Sequence, residues 1–162
     1  MATDEFLLND NWKLYFHDPC SKEWDKESYI DIATISTIDD FWVIFENIKD
    51  KLHLGMFFLM REHIFPIWDD EHNVNGSFMS LKILKTSLKE TSEKILIHLV
   101  NETLLKEPYY HNWESINGIS FSPKKHFCIV KIWIKDKTMQ DRECFNISDV
   151  YHGDILFKNN QY

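Results

Sequence analysis

The chain has 162 residues, 44% hydrophobic and 27% charged, which fits one globular domain with a proper core and excludes a fibrous or disordered chain. Its net charge of −8 argues against a surface that slides along duplex nucleic acid, while leaving room for a small basic pocket that holds a few phosphates. Six tryptophans, six tyrosines and twelve phenylalanines exceed the needs of a core this size, so some rings are expected at the surface for stacking or partner contact.

Cys20, Cys128 and Cys144 are odd in number and far apart, which predicts free thiols in a reducing compartment. No apolar run approaches membrane-spanning length and the amino terminus lacks a signal-peptide pattern, so the expectation is a cytoplasmic protein without membrane contact. Residues 1–10 read as an amino-terminal tail and 11–162 as a single domain.

Taken in chain order, Asn11 to His17 alternates apolar and polar residues and predicts a strand that Asp18-Pro19 closes. A polar loop containing Trp24 follows, then a short strand from Tyr29 to Ile32. Thr37 stands three residues before Asp40 as a capping box and opens a helix over Asp39 to Lys51. Met56 to Arg61 reads as a strand. His72 to Gly76 reads as a turn, its Asn-Gly pair being a strong hairpin signal, and Ser77 to Leu84 as the strand leaving it. A second helix is expected from Thr91 to Leu105, stopped by Pro108. Ile119 to Phe121 and Phe127 to Ile134 read as strands flanking the basic turn Pro123-Lys124-Lys125-His126. The charged stretch from Lys135 to Asn146 reads as loop or short helix, and Ile155 to Phe157 as a last short strand. Strands joined by tight turns, with few helices, predict an α+β domain built on an antiparallel sheet.

Phe65-Pro66-Ile67-Trp68-Asp69-Asp70-Glu71 is the most informative stretch. Proline fixes φ and makes this a loop between ordered elements. An indole presented there offers a flat π-face, and the next carboxylate offers two acceptor oxygens. The pair suits a planar ring with N–H donors on one edge, such as guanine. A buried tryptophan with acids turned to solvent fits the same residues. On the strand after the basic turn, Ile129, Lys131 and Trp133 share one face. Were that face to meet the loops of Trp24 and Trp68, two indoles would flank a pocket with lysines at its mouth, the way proteins hold single bases.

In order and spacing these motifs resemble the cap-binding translation initiation factor 4E family. Asn11-Trp12-x-Leu14-x-Phe16 is similar to its first strand. Asp40-Phe41-Trp42 followed by Asn47-Ile48 resembles its first helix, Pro66-x-Trp68-Asp69-Asp70-Glu71 its Pro-x-Trp-Glu-Asp-Glu motif, and Ile132-Trp133 a later strand. The resemblance implies a curved antiparallel sheet with helices packed on its convex face, and a concave face that binds the 7-methylguanosine cap of messenger RNA. It implies that Trp24 and Trp68 sandwich the positively charged methylated base. Asp69 would accept from the base N1–H and exocyclic amine, the Trp68 backbone N–H would meet O6, and Trp133 would lie near the N7 methyl. Lys124 matches the family's phosphate-binding arginine, with Lys125 beside it. The family's second phosphate lysine falls on Ile129, and Lys131 on the same face is the substitute.

The resemblance also implies a partner surface on the helices, where Ile38, Trp42, Leu96, Leu99 and Val100 would receive a Tyr-x-x-x-x-Leu-apolar helix. That helix would belong to a scaffold initiation factor of the 4G type or to a repressor. Three departures stand out: Asp69 replaces the usual Glu, Ser77-Phe78 replaces Arg-Trp, and the carboxy-terminal tail is short. The expected function is recruitment of capped RNA for translation initiation by a monomer working through binding alone, with no catalytic residue, metal or cofactor. A repressor that holds the cap without productive scaffold contact, and a partner-binding module without cap affinity, are the alternatives.

Overall fold

In the computed structural model, which describes residues 6–148, 150 and 154–160, seven strands pair antiparallel into one curved sheet. They are β1 (Leu7–His17), β2 (Tyr29–Thr37), β3 (Met56–Arg61), β4 (Ser77–Leu84), β5 (Ile116–Pro123), β6 (Phe127–Ile134) and β7 (Ile155–Asn159). Their order across the sheet is β2-β1-β3-β5-β6-β4-β7, so β2 and β7 form the edges. Two α-helices are described, α1 (Ile38–Ile48) and α2 (Leu88–Val100).

The period-two alternation decides which side chains go where. Leu14, Leu59, Ile119, Ile132 and Met79 stand opposite one another on five neighbouring strands and are all buried. Phe41 and Phe45 of α1 and Ile95, Leu96 and Leu99 of α2 pack onto this row, so both helices cover the same face. One residue along, Tyr15, Phe58, Ser120, Lys131 and Ser80 form the matching row on the uncovered face. No described helix is long and apolar enough to cross a membrane.

The Thr37 cap forms as the spacing predicts. Its hydroxyl accepts from the Asp40 N–H at 3.0 Å, and the Asp40 carboxylate accepts from the Thr37 N–H at 3.1 Å. Other boundaries differ from the sequence reading. β1 begins at Leu7, four residues before Asn11, and β2 runs five residues past Ile32 into the α1 cap. α2 occupies Leu88–Val100 instead of Thr91 to Leu105, and Glu102, at φ 58°, turns the chain away from the helix. Leu104 and Leu105 still reach the core, from the segment beyond the helix.

The Asn75-Gly76 turn joins no hairpin. β3 pairs with β1 and β5, whereas β4 pairs with β6 and β7. Gly76 is needed for closeness, not for a left-handed turn: its φ is negative, and a Cβ there would stand 2.1 Å from the Ile134 carbonyl oxygen.

Candidate functional site

Two loops and the uncovered face enclose a cavity of about 510 Å³. Trp24 stands on the loop after β1, Trp68 and Asp69 on the loop between β3 and β4, and Lys131 and Trp133 on β6, and all five line it. Tyr29, Phe58 and Ser120 complete its wall and floor. Residues drawn from six places in the chain thus converge on one volume, of a size that holds a small ligand.

The Trp68 loop is braced from within, so its indole does not fold into the core. Asn73 is fully buried and donates from Nδ2 to the carbonyls of Phe65, at 3.0 Å, and Ile67, at 2.8 Å. Its own Oδ1 accepts from Asn117 Nδ2 at 2.9 Å, which ties the loop to β5. Asp70 accepts from the backbone N–H groups of Phe65 and His72, and the Tyr29 hydroxyl donates to the Pro66 carbonyl at 3.1 Å. What remains outside this brace is Trp68, 60% exposed, and the neighbouring exposed Asp69. Of the three consecutive acids, Asp69 lines the cavity while Asp70 is consumed by the loop itself.

Trp24 is held differently. It is 49% exposed, and one face of its indole is covered by the imidazole of His17. His17 ends β1 and is fully buried, with Nε2 2.7 Å from the Glu23 carbonyl oxygen and Nδ1 2.9 Å from that of Asp18. Sequence reading left His17 as the end of a strand.

At the floor Trp133 is 9% exposed and donates from Nε1 to the Ser120 hydroxyl at 3.0 Å, so its ring is fixed edge and face. Burial pushes the Tyr29 hydroxyl up to about 12, and the negative charge of Asp69 adds to the effect. Lys131 is drawn below the ordinary lysine range, first by burial and then by the like charges of Lys124 and Lys158. Its ammonium rests 4.4 Å from the centre of the Phe78 ring. Lys124 and Lys125 stand exposed at the β5–β6 turn, outside the cavity lining, with Lys124 electrostatically in reach of Lys131.

The helix residues divide. Trp42 is 38% exposed and Val43 beside it is open to solvent, while Ile38 is half-buried. Leu96, Leu99 and Val100 are not on a docking surface: all three lie in the core beneath α2, and this corrects the sequence expectation for them. A helix whose apolar stripe faces a sheet buries that stripe, and Ile97 is the apolar residue of α2 left half-buried.

The cavity is thus walled by two loop-borne indoles, with a carboxylate on one wall and an ammonium on the floor. The family model described as eukaryotic initiation factor 4E matches residues 7–161, and the chain belongs to that family. The eukaryotic translation initiation factor 4E of Candida albicans is 27% identical over 141 residues, 80% of this chain and 64% of that protein. Factor 4E-1 of Caenorhabditis elegans is 25% identical over 135 residues, 81% of this chain and 63% of its own length. The 4E homolog of Acanthamoeba polyphaga mimivirus is 26% identical over 137 residues, 71% of this chain and 50% of its own. The chain therefore spans less than two thirds of these relatives.

Among solved structures, Ascaris suum eIF4E-3 with an m7G cap superimposes with a TM-score of 0.77 at 20% identity, over 96% of this chain and 91% of that one. Schistosome eIF4E complexed with m7GpppG and 4E-BP does so with a TM-score of 0.73 at 20% identity, over 85% and 76%. Likeness at that identity carries the fold.

Proposed function

We propose that this protein binds the 7-methylguanosine cap of messenger RNA and recruits the RNA for translation initiation, acting in the cytoplasm through binding alone. One observation carries the reading: Trp24, Trp68, Asp69, Lys131 and Trp133, scattered over 110 positions of sequence, line a single cavity.

The base enters between the indoles of Trp24 and Trp68. N7 methylation leaves a positive charge on the ring, and a cation between two π-faces gains about 0.5–2 kcal/mol that unmodified guanine does not. The Asp69 carboxylate accepts from N1–H and the exocyclic amine. Trp133 closes the floor near the methyl group, and Lys131, with Lys124 and Lys125 at the turn, meets the triphosphate. Trp42 and Ile38 on the helix-covered side receive a partner helix from a 4G-type scaffold or a repressor, a second surface separate from the cavity.

Titration with 7-methyl-GTP and with GTP, followed by quenching of tryptophan fluorescence, tests the reading. Quenching at much lower concentration by the methylated ligand is the expected result. Equal, weak quenching by both overturns it.

A further inference from the structure

The cations of the uncovered face continue past the cavity. β6, β4 and β7 are neighbours, and their register places Trp133, Phe78 and Lys158 side by side in one row. Lys158 thus lies two strands beyond Trp133, about 10 Å along the sheet. In the next row Lys131 stands on β6, two strands from β7, and its ammonium leans over the Phe78 ring at 4.4 Å, towards the row that ends in Lys158. Lys124, Lys131 and Lys158 form no ion pair with a carboxylate among the described residues. In a chain of net charge −8, Lys131 on the cavity lining, with Lys124 and Lys158 near enough to repel its charge, concentrates positive charge at one edge of the cavity.

The opposite rim has the other sign. The chain from the end of β1 into β2 carries Asp18, Glu23, Asp25 and Glu27 against Lys22 and Lys26, while Asp31 is paired with Lys13 at 2.6 Å. A polyanion whose first base is held between Trp24 and Trp68 is repelled on that side and attracted across β6 and β4 towards β7.

Resting on the cap-binding reading, we propose that Lys158 receives a backbone phosphate of the RNA beyond the cap, so that the chain leaves the cavity across β4 and over the β7 edge. The ligand class is single-stranded RNA joined to the cap, and Lys158 is a contact to its phosphodiester, not to the cap triphosphate.

The test compares 7-methyl-GTP with a capped pentanucleotide on wild-type protein, Lys158→Glu and Lys82→Glu. Lys82 lies on the same face of β4, its ammonium 4.6 Å from the Phe127 ring, and takes the same charge reversal away from the proposed path. Expected is tighter wild-type binding of the capped oligonucleotide than of 7-methyl-GTP by about two- to fivefold, the scale of one exposed ion pair. That gain disappears in Lys158→Glu, whose 7-methyl-GTP affinity stays within about twofold of wild type, and it persists in Lys82→Glu. The salt dependence of oligonucleotide binding falls by about 0.7 in logarithmic slope, one single-strand phosphate contact. Equal losses for both ligands in Lys158→Glu place the lysine on the triphosphate and overturn the inference, as does an equal effect of Lys82→Glu. Wild-type binding of 7-methyl-GTP without any gain from added nucleotides overturns this inference alone. Failure of wild type to bind 7-methyl-GTP overturns the cap reading and this one with it.

Discussion

His17 lies flat against Trp24, ring centroids 3.8 Å apart and planes within 2° of parallel. The exposed indole to which the proposed function gives a base is therefore itself stacked, on the last residue of β1. The imidazole is fixed by burial and by the carbonyls of Asp18 and Glu23, which belong to the loop that carries Trp24. A half-exposed ring on a polar loop would otherwise sample several rotamers, and ordering it on binding would cost affinity.

His17→Leu keeps the volume and the buried position but removes both the flat stack and the contacts to the loop carbonyls. Affinity for 7-methyl-GTP should fall about two- to tenfold, the scale of one aromatic contact. His17→Phe restores the stack and should recover part of the loss, which a role in folding alone would not predict. Wild-type affinity in His17→Leu would show that Trp24 needs no support from this ring.

Trp68→Ala separates site from fold. The indole is 60% exposed, and Asn73, Asp70 and Tyr29 hold the loop through hydrogen bonds to its backbone. Thermal stability should change by no more than about 0.5 kcal/mol. Affinity for 7-methyl-GTP should drop about five- to 150-fold, since one stacked base contributes about 1–3 kcal/mol. A parallel loss of stability, read by thermal unfolding, would mean that the ring supports the fold instead.

Asp69→Asn tests the carboxylate and its placement together. Loss of a charged acceptor should weaken 7-methyl-GTP binding by about 1 kcal/mol, less than a buried charged hydrogen bond because Asp69 is exposed. The same change removes a negative charge that helps to raise Tyr29. A neighbouring anion disfavours the tyrosinate, so Tyr29 should ionise at lower pH in the variant than in wild type. It should still ionise above the ordinary tyrosine range, because burial is the larger cause. Ultraviolet absorbance of tyrosinate across alkaline pH reads this directly. An unmoved Tyr29 would place Asp69 away from the pocket wall.

Lys131 carries a conflict between stability and function. Its folded-state value lies below that of an unfolded lysine, so the folded protein disfavours its charge. Through the window between those two values the unfolded chain binds more protons, and stability rises as pH rises. Lys131→Met removes the penalty at neutral pH and keeps an apolar contact with Phe78. The variant should be more stable than wild type by about 0.5–1 kcal/mol and should bind 7-methyl-GTP more weakly. If it is both destabilised and unimpaired in binding, the ammonium is a structural group and not an anion ligand.

Local chemistry explains which parts were legible in the sequence. Proline beside tryptophan and a carboxylate marks a loop, and alternation from Phe127 to Ile134 puts Lys131 and Trp133 on one face, so Trp68, Asp69, Lys131 and Trp133 could be named before the fold was known, whereas Tyr29, Phe58 and Ser120 of the same cavity could not. The supports could not. Asn73 and Asn117 are 44 positions apart and meet only when β5 passes behind the loop, and His17 looks like any polar residue closing a strand. Leu96, Leu99 and Val100 illustrate a different limit. An apolar stripe at helical spacing is the same pattern whether it packs on its own sheet or on another protein, and only the position of α2 decides for the sheet. The Asn75-Gly76 pair misled because the strand that follows it pairs elsewhere.

Trp42 is the remaining exposed indole whose role the cavity does not absorb. It sits on α1 with one edge against Phe41, ring centroids 5.2 Å apart, and 38% of its surface open beside Val43. Phe41 and Phe45 already fill the core beneath it, so the fold does not depend on its full volume. Trp42→Ala should leave 7-methyl-GTP affinity within about twofold of wild type, because the residue lies on the opposite side of the sheet. Capture of a peptide helix with the Tyr-x-x-x-x-Leu-apolar pattern should weaken by about 2 kcal/mol or more, the scale of a tryptophan hot spot. Calorimetry with both ligands on one preparation checks the two halves. Loss of cap affinity together with the peptide would mean that the faces are coupled through the sheet, and unchanged peptide binding would move the docking surface away from α1.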